Sequence, residues 1–115
     1  MEFETFTVSL LEARSNPEKL DEREADALQD AHMDYLATLH ETDKLQAAGP
    51  FLNQQDRSIR GLCLHRIPPE EVRALFEKDP LVRAGRLSVR VLTWVVPKGA
   101  LSFSPTRFPH SQREL

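Results

Sequence analysis

Only one cysteine, Cys63, occurs in 115 residues. No disulfide can therefore close within the chain, and this usage fits a reducing compartment. Neither charge sign dominates. The formal net charge is −3, which gives no broad electrostatic reason to expect nucleic acid or an anionic membrane as partner. No apolar run approaches the length that spans a bilayer. The opening MEFETFTVSLLEA has neither the positive start nor the cleavage pattern of a signal peptide. A glycine-rich phosphate loop, a Gly-x-Ser-x-Gly elbow and internal repeats are all missing. Cys63 has no companion cysteine, and the four histidines form no two-histidine helical clamp, so neither metal nor cofactor is expected. These absences leave one cytoplasmic domain, long enough to hold a stable core without staples.

Its pattern is informative. FETFTVSLLEA alternates, with Phe3, Thr5, Thr7 and Ser9 on one side and Glu4, Phe6, Val8 and Leu10 on the other. Period two with β-branched and aromatic residues predicts a strand. Asn16-Pro17 then suits a turn, or a cap followed by a first-turn proline. From about Leu20 to Thr42 there is no proline or glycine. Acidic residues crowd the start of this segment, where a helix dipole favours them. Leu20, Ala27, Leu28, Ala31, Tyr35, Leu36 and Leu39 make its apolar stripe. KLQAAGPF reads as a short strand ending at the turn signal Gly49-Pro50, and IRGLCLHRI as another strand. PPEEVRALFEKD opens with prolines and glutamates as a helix does. RLSVRVLTWVV is the most strand-like run of all. The order is β-α-β-β-α-β, a ferredoxin-like α+β unit with two helices on one face of a four-stranded antiparallel sheet.

Such a sheet leaves its other face to be explained. In RLSVRVLTWVV both rows carry apolar residues toward the end, and a strand of that kind wants cover on both sides. A second copy is the economical cover, since most oligomers are symmetric dimers. Alternatively the segment 98–115, ALSFSPTRFPHSQREL with its leading Lys-Gly, folds back over the sheet. That segment has no clear period. It reads either as a disordered tail or as a strap docked through Phe103 and Phe108.

One residue breaks the helical stripe. In DAHMDYLATLH, His32 shares a face with Leu28, Tyr35, Leu36 and Leu39. An ionisable ring there is either a satisfied structural histidine or part of a site. Asp79 also has two readings. In DPLVRAG it looks like the N-cap of a short helical turn that starts with proline and ends with glycine. The same carboxylate closes the preceding helix, whose C-terminal dipole disfavours it.

Taken in order, DAHMDYLATL, KLQAAGPF, RGLCL and EEVRALFEKDPLVRAGRLSVRVLTWVVP resemble the YCII-related (YciI-like) proteins, over about residues 1–97. The resemblance implies a ferredoxin-like fold in a dimeric α+β barrel. It also implies a pocket between helix and sheet with a histidine and an aspartate as an active-site pair, at positions matching His32 and Asp79. One branch of the family removes chloride from chlorinated hydroxyaromatics, while most members have no assigned reaction. One departure is Asp43, where relatives often have glycine. The candidate site is therefore His32 with Asp79 as the catalytic pair, and Tyr35, Gly49, Pro50 and Phe51 as pocket residues. Gly49 is placed there because glycine permits close approach. Two functions compete: a cofactor-free enzyme acting on a small organic molecule by proton abstraction, elimination or isomerisation, and a non-catalytic ligand-binding or accessory homodimer.

Overall fold

The computed structural model covers residues 1–115. Four strands, β1 (Phe3–Ala13), β2 (Ala47–Pro50), β3 (Ile59–His65) and β4 (Leu87–Pro97), form one sheet in the order β2-β3-β1-β4. Each pairing is antiparallel. Helices α1 (Glu22–Glu41), α2 (Pro69–Phe76) and the single turn α3 (Pro80–Arg83) complete an α+β architecture compatible with the ferredoxin-like fold. None of these helices is long and apolar enough to cross a membrane.

The helix ends follow local chemistry. Asn16 turns the chain at φ +53°, so Asn16-Pro17 is a turn rather than a cap. The cap of α1 is Asp21, whose carboxylate accepts the Glu24 N–H at 2.8 Å. After Thr42 the chain leaves the helix through Asp43 at φ +63°. That is the left-handed region that glycine favours and that aspartate tolerates better than most L residues. Asp43 also accepts a hydrogen bond from the Gln46 side chain at 3.0 Å. Pro69 opens α2, followed by Glu70 and Glu71 in the first turn, as the dipole and the missing proline N–H favour.

Side-chain alternation assigns the two faces of the sheet. Leu11 and Leu87 belong to the core with Leu39, Leu45, Cys63, Val72, Phe76 and Leu81. The row of β1 holding Thr7, Ser9 and Leu11 therefore faces the helices. Phe6, Val8 and Leu10 point away from them, although they are the more apolar row. Their cross-strand partners Trp94, Leu92 and Leu64 share this outer face. Leu92 and Trp94 remain 48% and 43% exposed. On α1, Ala27 and Ala31 face solvent while Ala37 is buried, so the stripe sits further toward the C-terminus than hydropathy alone predicts. Beyond Pro97 the chain packs back on the domain. Phe103 meets Phe6 edge-on, and Phe108 stacks on His40.

Candidate functional site

Between α1 and the α2–α3 corner lies a buried polar layer. His32 lies midway along α1 and is 7% exposed; Asp79, between α2 and α3, is 0% exposed. Their side chains meet, with His32 Nδ1 2.7 Å from Asp79 Oδ1. The other carboxylate oxygen, Oδ2, accepts the Val82 N–H at 3.2 Å. Asp79 is thus both the cap of α3 and the partner of His32, one oxygen for each task. The cap explains why the carboxylate is held rigidly. The proline at the next position fixes the backbone that aims it.

This bonding fixes the state of the imidazole. A carboxylate only accepts, so Nδ1 carries the proton, and in the neutral ring Nε2 keeps its lone pair. No protein group bonds His32 Nε2, and no buried side-chain nitrogen or oxygen is left without a partner. Nε2 therefore keeps accessible area of its own. An oriented imidazole with one nitrogen held by a carboxylate and the other free can take a proton and return it.

Tyr35, one turn further along α1, donates its hydroxyl to the Leu75 carbonyl at 2.7 Å. Burial, with the nearby Asp79 charge, pushes the Tyr35 phenol above its usual range. It stays protonated at neutral pH. Gly49, Pro50 and Phe51 are exposed on and just past β2, and none of them hydrogen-bonds the pair. The turn read at Gly49-Pro50 comes one step later, since both residues still pair with β3. The close approach belongs to the partner strand. A Cβ on Gly61 would lie 2.8 Å from the Gly49 carbonyl oxygen, whereas one on Gly49 would meet nothing within 4 Å.

A second histidine in this layer, His65, ends β3. His65 is fully buried beside Phe76. Its Nδ1 donates to the Lys44 carbonyl at 2.9 Å, and its Nε2 accepts from the Ser9 hydroxyl at 2.8 Å. Burial lowers its pKa, so the ring is neutral. The available signal was parity, because His65 lies two residues from Cys63 on the same strand row. Cys63 is no nucleophile: burial pushes its thiol up to about 12.

Two shallow, open clefts lie on the surface. One, of about 270 Å³, lies between α2 and β4 and is lined by Arg14, Arg73, Phe76, Glu77, Val82, Leu87, Ser88, Val89 and Val91. The other, of about 210 Å³, lies at the C-terminal segment against Arg107, Phe108, Pro109, Glu114 and Leu115. Neither is lined by His32 or Asp79.

No curated protein sequence matches the chain. Among solved structures it is similar to 5-chloro-2-hydroxyhydroquinone dehydrochlorinase from Burkholderia phenoliruptrix AC1100, in complex with 2,5-dihydroxybenzoquinone. The identity is 25% and the TM-score 0.55, over 77% of this chain and 92% of that one. The model of the YCII-related domain matches residues 8–95, from within β1 almost to the end of β4. The chain belongs to the YCII-related family.

Proposed function

We propose that this protein acts on a small hydroxyaromatic molecule, with His32 as proton acceptor and donor and Asp79 as its orienting partner. The observation that carries the reading is the asymmetry of His32: Nδ1 is held at 2.7 Å by a buried carboxylate, and Nε2 has no protein partner. Nε2 takes a proton from the substrate, and Asp79 stabilises the imidazolium that results. The electron pair left behind moves through the substrate and either expels a leaving group, which departs with its bonding pair, or waits for the proton to return at another carbon. The first course is elimination and the second isomerisation. Neither requires a further reactant. The structural neighbour, a dehydrochlorinase bound to a hydroxyquinone, supports an aromatic substrate of this kind. In the same reading a second copy covers the outer face at Leu92 and Trp94, giving a dimeric α+β barrel, for which light scattering is expected to return twice the chain mass.

The test is turnover of a panel of chlorinated and unchlorinated hydroxyaromatics and lactones, followed by absorbance and chloride release. General acid–base catalysis contributes at least about 100-fold, so His32→Ala should lose that much while remaining folded. Turnover unchanged in His32→Ala would falsify the assignment. A non-catalytic ligand-binding dimer is the second reading. It is favoured by the two surface clefts at α2–β4 and at the C-terminal segment, which lie away from the pair, and ligand binding without turnover across the panel is its expected signature.

A further inference from the structure

The segment after Pro97 lies outside the matched family domain, yet it is fastened to the body at points from Gly99 to Gln112. Gly99 donates its N–H to Glu4, and Phe103 packs edge-on against Phe6 at 5.8 Å between ring centres. The Arg66 guanidinium sits 5.3 Å from both rings. The chain then rounds the end of the sheet and runs along α1. There the Gln112 N–H reaches Asp30 at 2.8 Å.

Two histidines hold this second half. His110 lies between two carboxylates, with Nδ1 2.6 Å from Asp34 Oδ1 and Nε2 2.6 Å from Glu41 Oε2. Carboxylates only accept, and a neutral imidazole has a single N–H. Both contacts are therefore hydrogen bonds only when His110 is an imidazolium. His40 repeats the pattern with carbonyls: its Nδ1 is 2.7 Å from the Leu45 oxygen and its Nε2 3.2 Å from the Thr106 oxygen, while Phe108 stacks on the ring at 4.0 Å. Again only the doubly protonated ring donates to both.

We propose that residues 106–115 form a proton-dependent clasp, locked on α1 by the imidazolium of His110 between Asp34 and Glu41 and released when that proton is lost. The charges around the ring agree. Asp34 and Glu41 face His110 from α1, and Glu114 faces it from its own segment by accepting the His110 N–H at 3.1 Å. Asp30 stands beyond them on α1 under Gln112. The one cation paired in this group is Arg107, on Glu114. Without the His110 proton the docked segment gathers carboxylates with little to balance them. The hydrogen bonds from His110 to Asp34, then to Glu41, raise its pKa above the usual histidine value. A raised folded-state pKa means that the docking is fully favoured below about pH 6.5 and is lost as pH rises through the folded value. Because these groups are exposed, added salt weakens the clasp as well.

The experiment is NMR on the ¹⁵N-labelled full chain between pH 5 and 9, reading the heteronuclear NOE of amides 106–115 and the ring protons of His110. At pH 5.5 the segment should be as rigid as the sheet. Its NOE should fall with a midpoint above 6.5, shared with the His110 ring. His110→Gln should be mobile at both ends of the range. The double variant Asp34→Asn, Glu41→Gln should move the midpoint downward. A wild-type segment equally rigid at pH 5.5 and 9, or equally mobile at both, overturns the clasp. So does a His110→Gln segment as rigid as wild type at pH 5.5.

Discussion

His32 and His65 are buried in the same layer between helices and sheet, yet they are opposites. Both nitrogens of His65 are occupied, one by the Lys44 carbonyl and one by the Ser9 hydroxyl. His32 has one occupied nitrogen and one free. The partner type differs too. His65 is held by neutral groups, and burial keeps it neutral; His32 is held by a carboxylate. A histidine with every bond made inside the protein stabilises the fold. A histidine with one bond made by a carboxylate and one nitrogen open is equipped for chemistry. Burial alone does not distinguish them.

The sharpest way to break this comparison is to remove each ring in turn. His32→Ala is expected to lower turnover at least about 100-fold with a modest change in melting temperature. His65→Ala should do the reverse. It leaves a cavity beside Phe76 and strips partners from Ser9 and the Lys44 carbonyl, for a loss of about 3 kcal/mol of stability. Turnover assays and chemical denaturation on both variants check this. Equal stability losses with equal loss of turnover would erase the distinction.

Much of this was legible in the sequence. Helical spacing alone put His32 on the buried side of α1, and the family resemblance named Asp79 as its partner. The cap reading of Asp79 came from Asp-Pro chemistry, and the structure shows that cap and ion-pair geometry coexist because a carboxylate has two oxygens. What the sequence hid were non-local facts. Thr7 and Ser9 look like the solvent side of β1, yet they face the helices because Thr7 bonds the Ile67 carbonyl at 2.6 Å and Ser9 bonds His65. Because β1 is buried on both faces along Phe6–Ser9, the polarity contrast between its two rows does not separate core from solvent. Docking of residues 98–115 through Phe103 and Phe108 was one of the two readings the sequence offered, and both rings are seated; the hold of His110 and Gln112 on α1 was hidden, since it depends on carboxylates nearly eighty residues away in sequence.

Asp79 sharpens the comparison at a smaller scale, because its two tasks can be separated. Asparagine is a good N-cap, so Asp79→Asn should preserve α3 while replacing the charged partner of His32 with a neutral one. Asp79→Ala removes both, and should be less stable than Asp79→Asn by about 1 kcal/mol, the usual worth of a cap. Turnover should fall in both variants. If Asp79→Asn kept full turnover, the carboxylate would be a cap alone, and His32 would need no charged partner.

The smallest expected effect concerns acid, and it sets His65 against His110. Its folded-state pKa is lowered by burial, while the unfolded chain titrates near 6.5. Below that pH the unfolded state binds a proton that the folded state refuses, so stability falls as the pH drops from about 6.5 through the folded pKa. His110 acts in the opposite sense, since its folded-state pKa is raised and acid favours its docked form. The wild-type profile is therefore a sum of opposing slopes, and the contribution of His65 must be read as a difference. His65→Gln keeps a polar side chain but cannot titrate. Its melting temperature should start below that of wild type at pH 7.5, and the gap should narrow between pH 6.5 and 5. A gap that stayed constant or widened across that range would mean that the buried ring accepts a proton without cost, and that Ser9 and Lys44 do not hold it neutral.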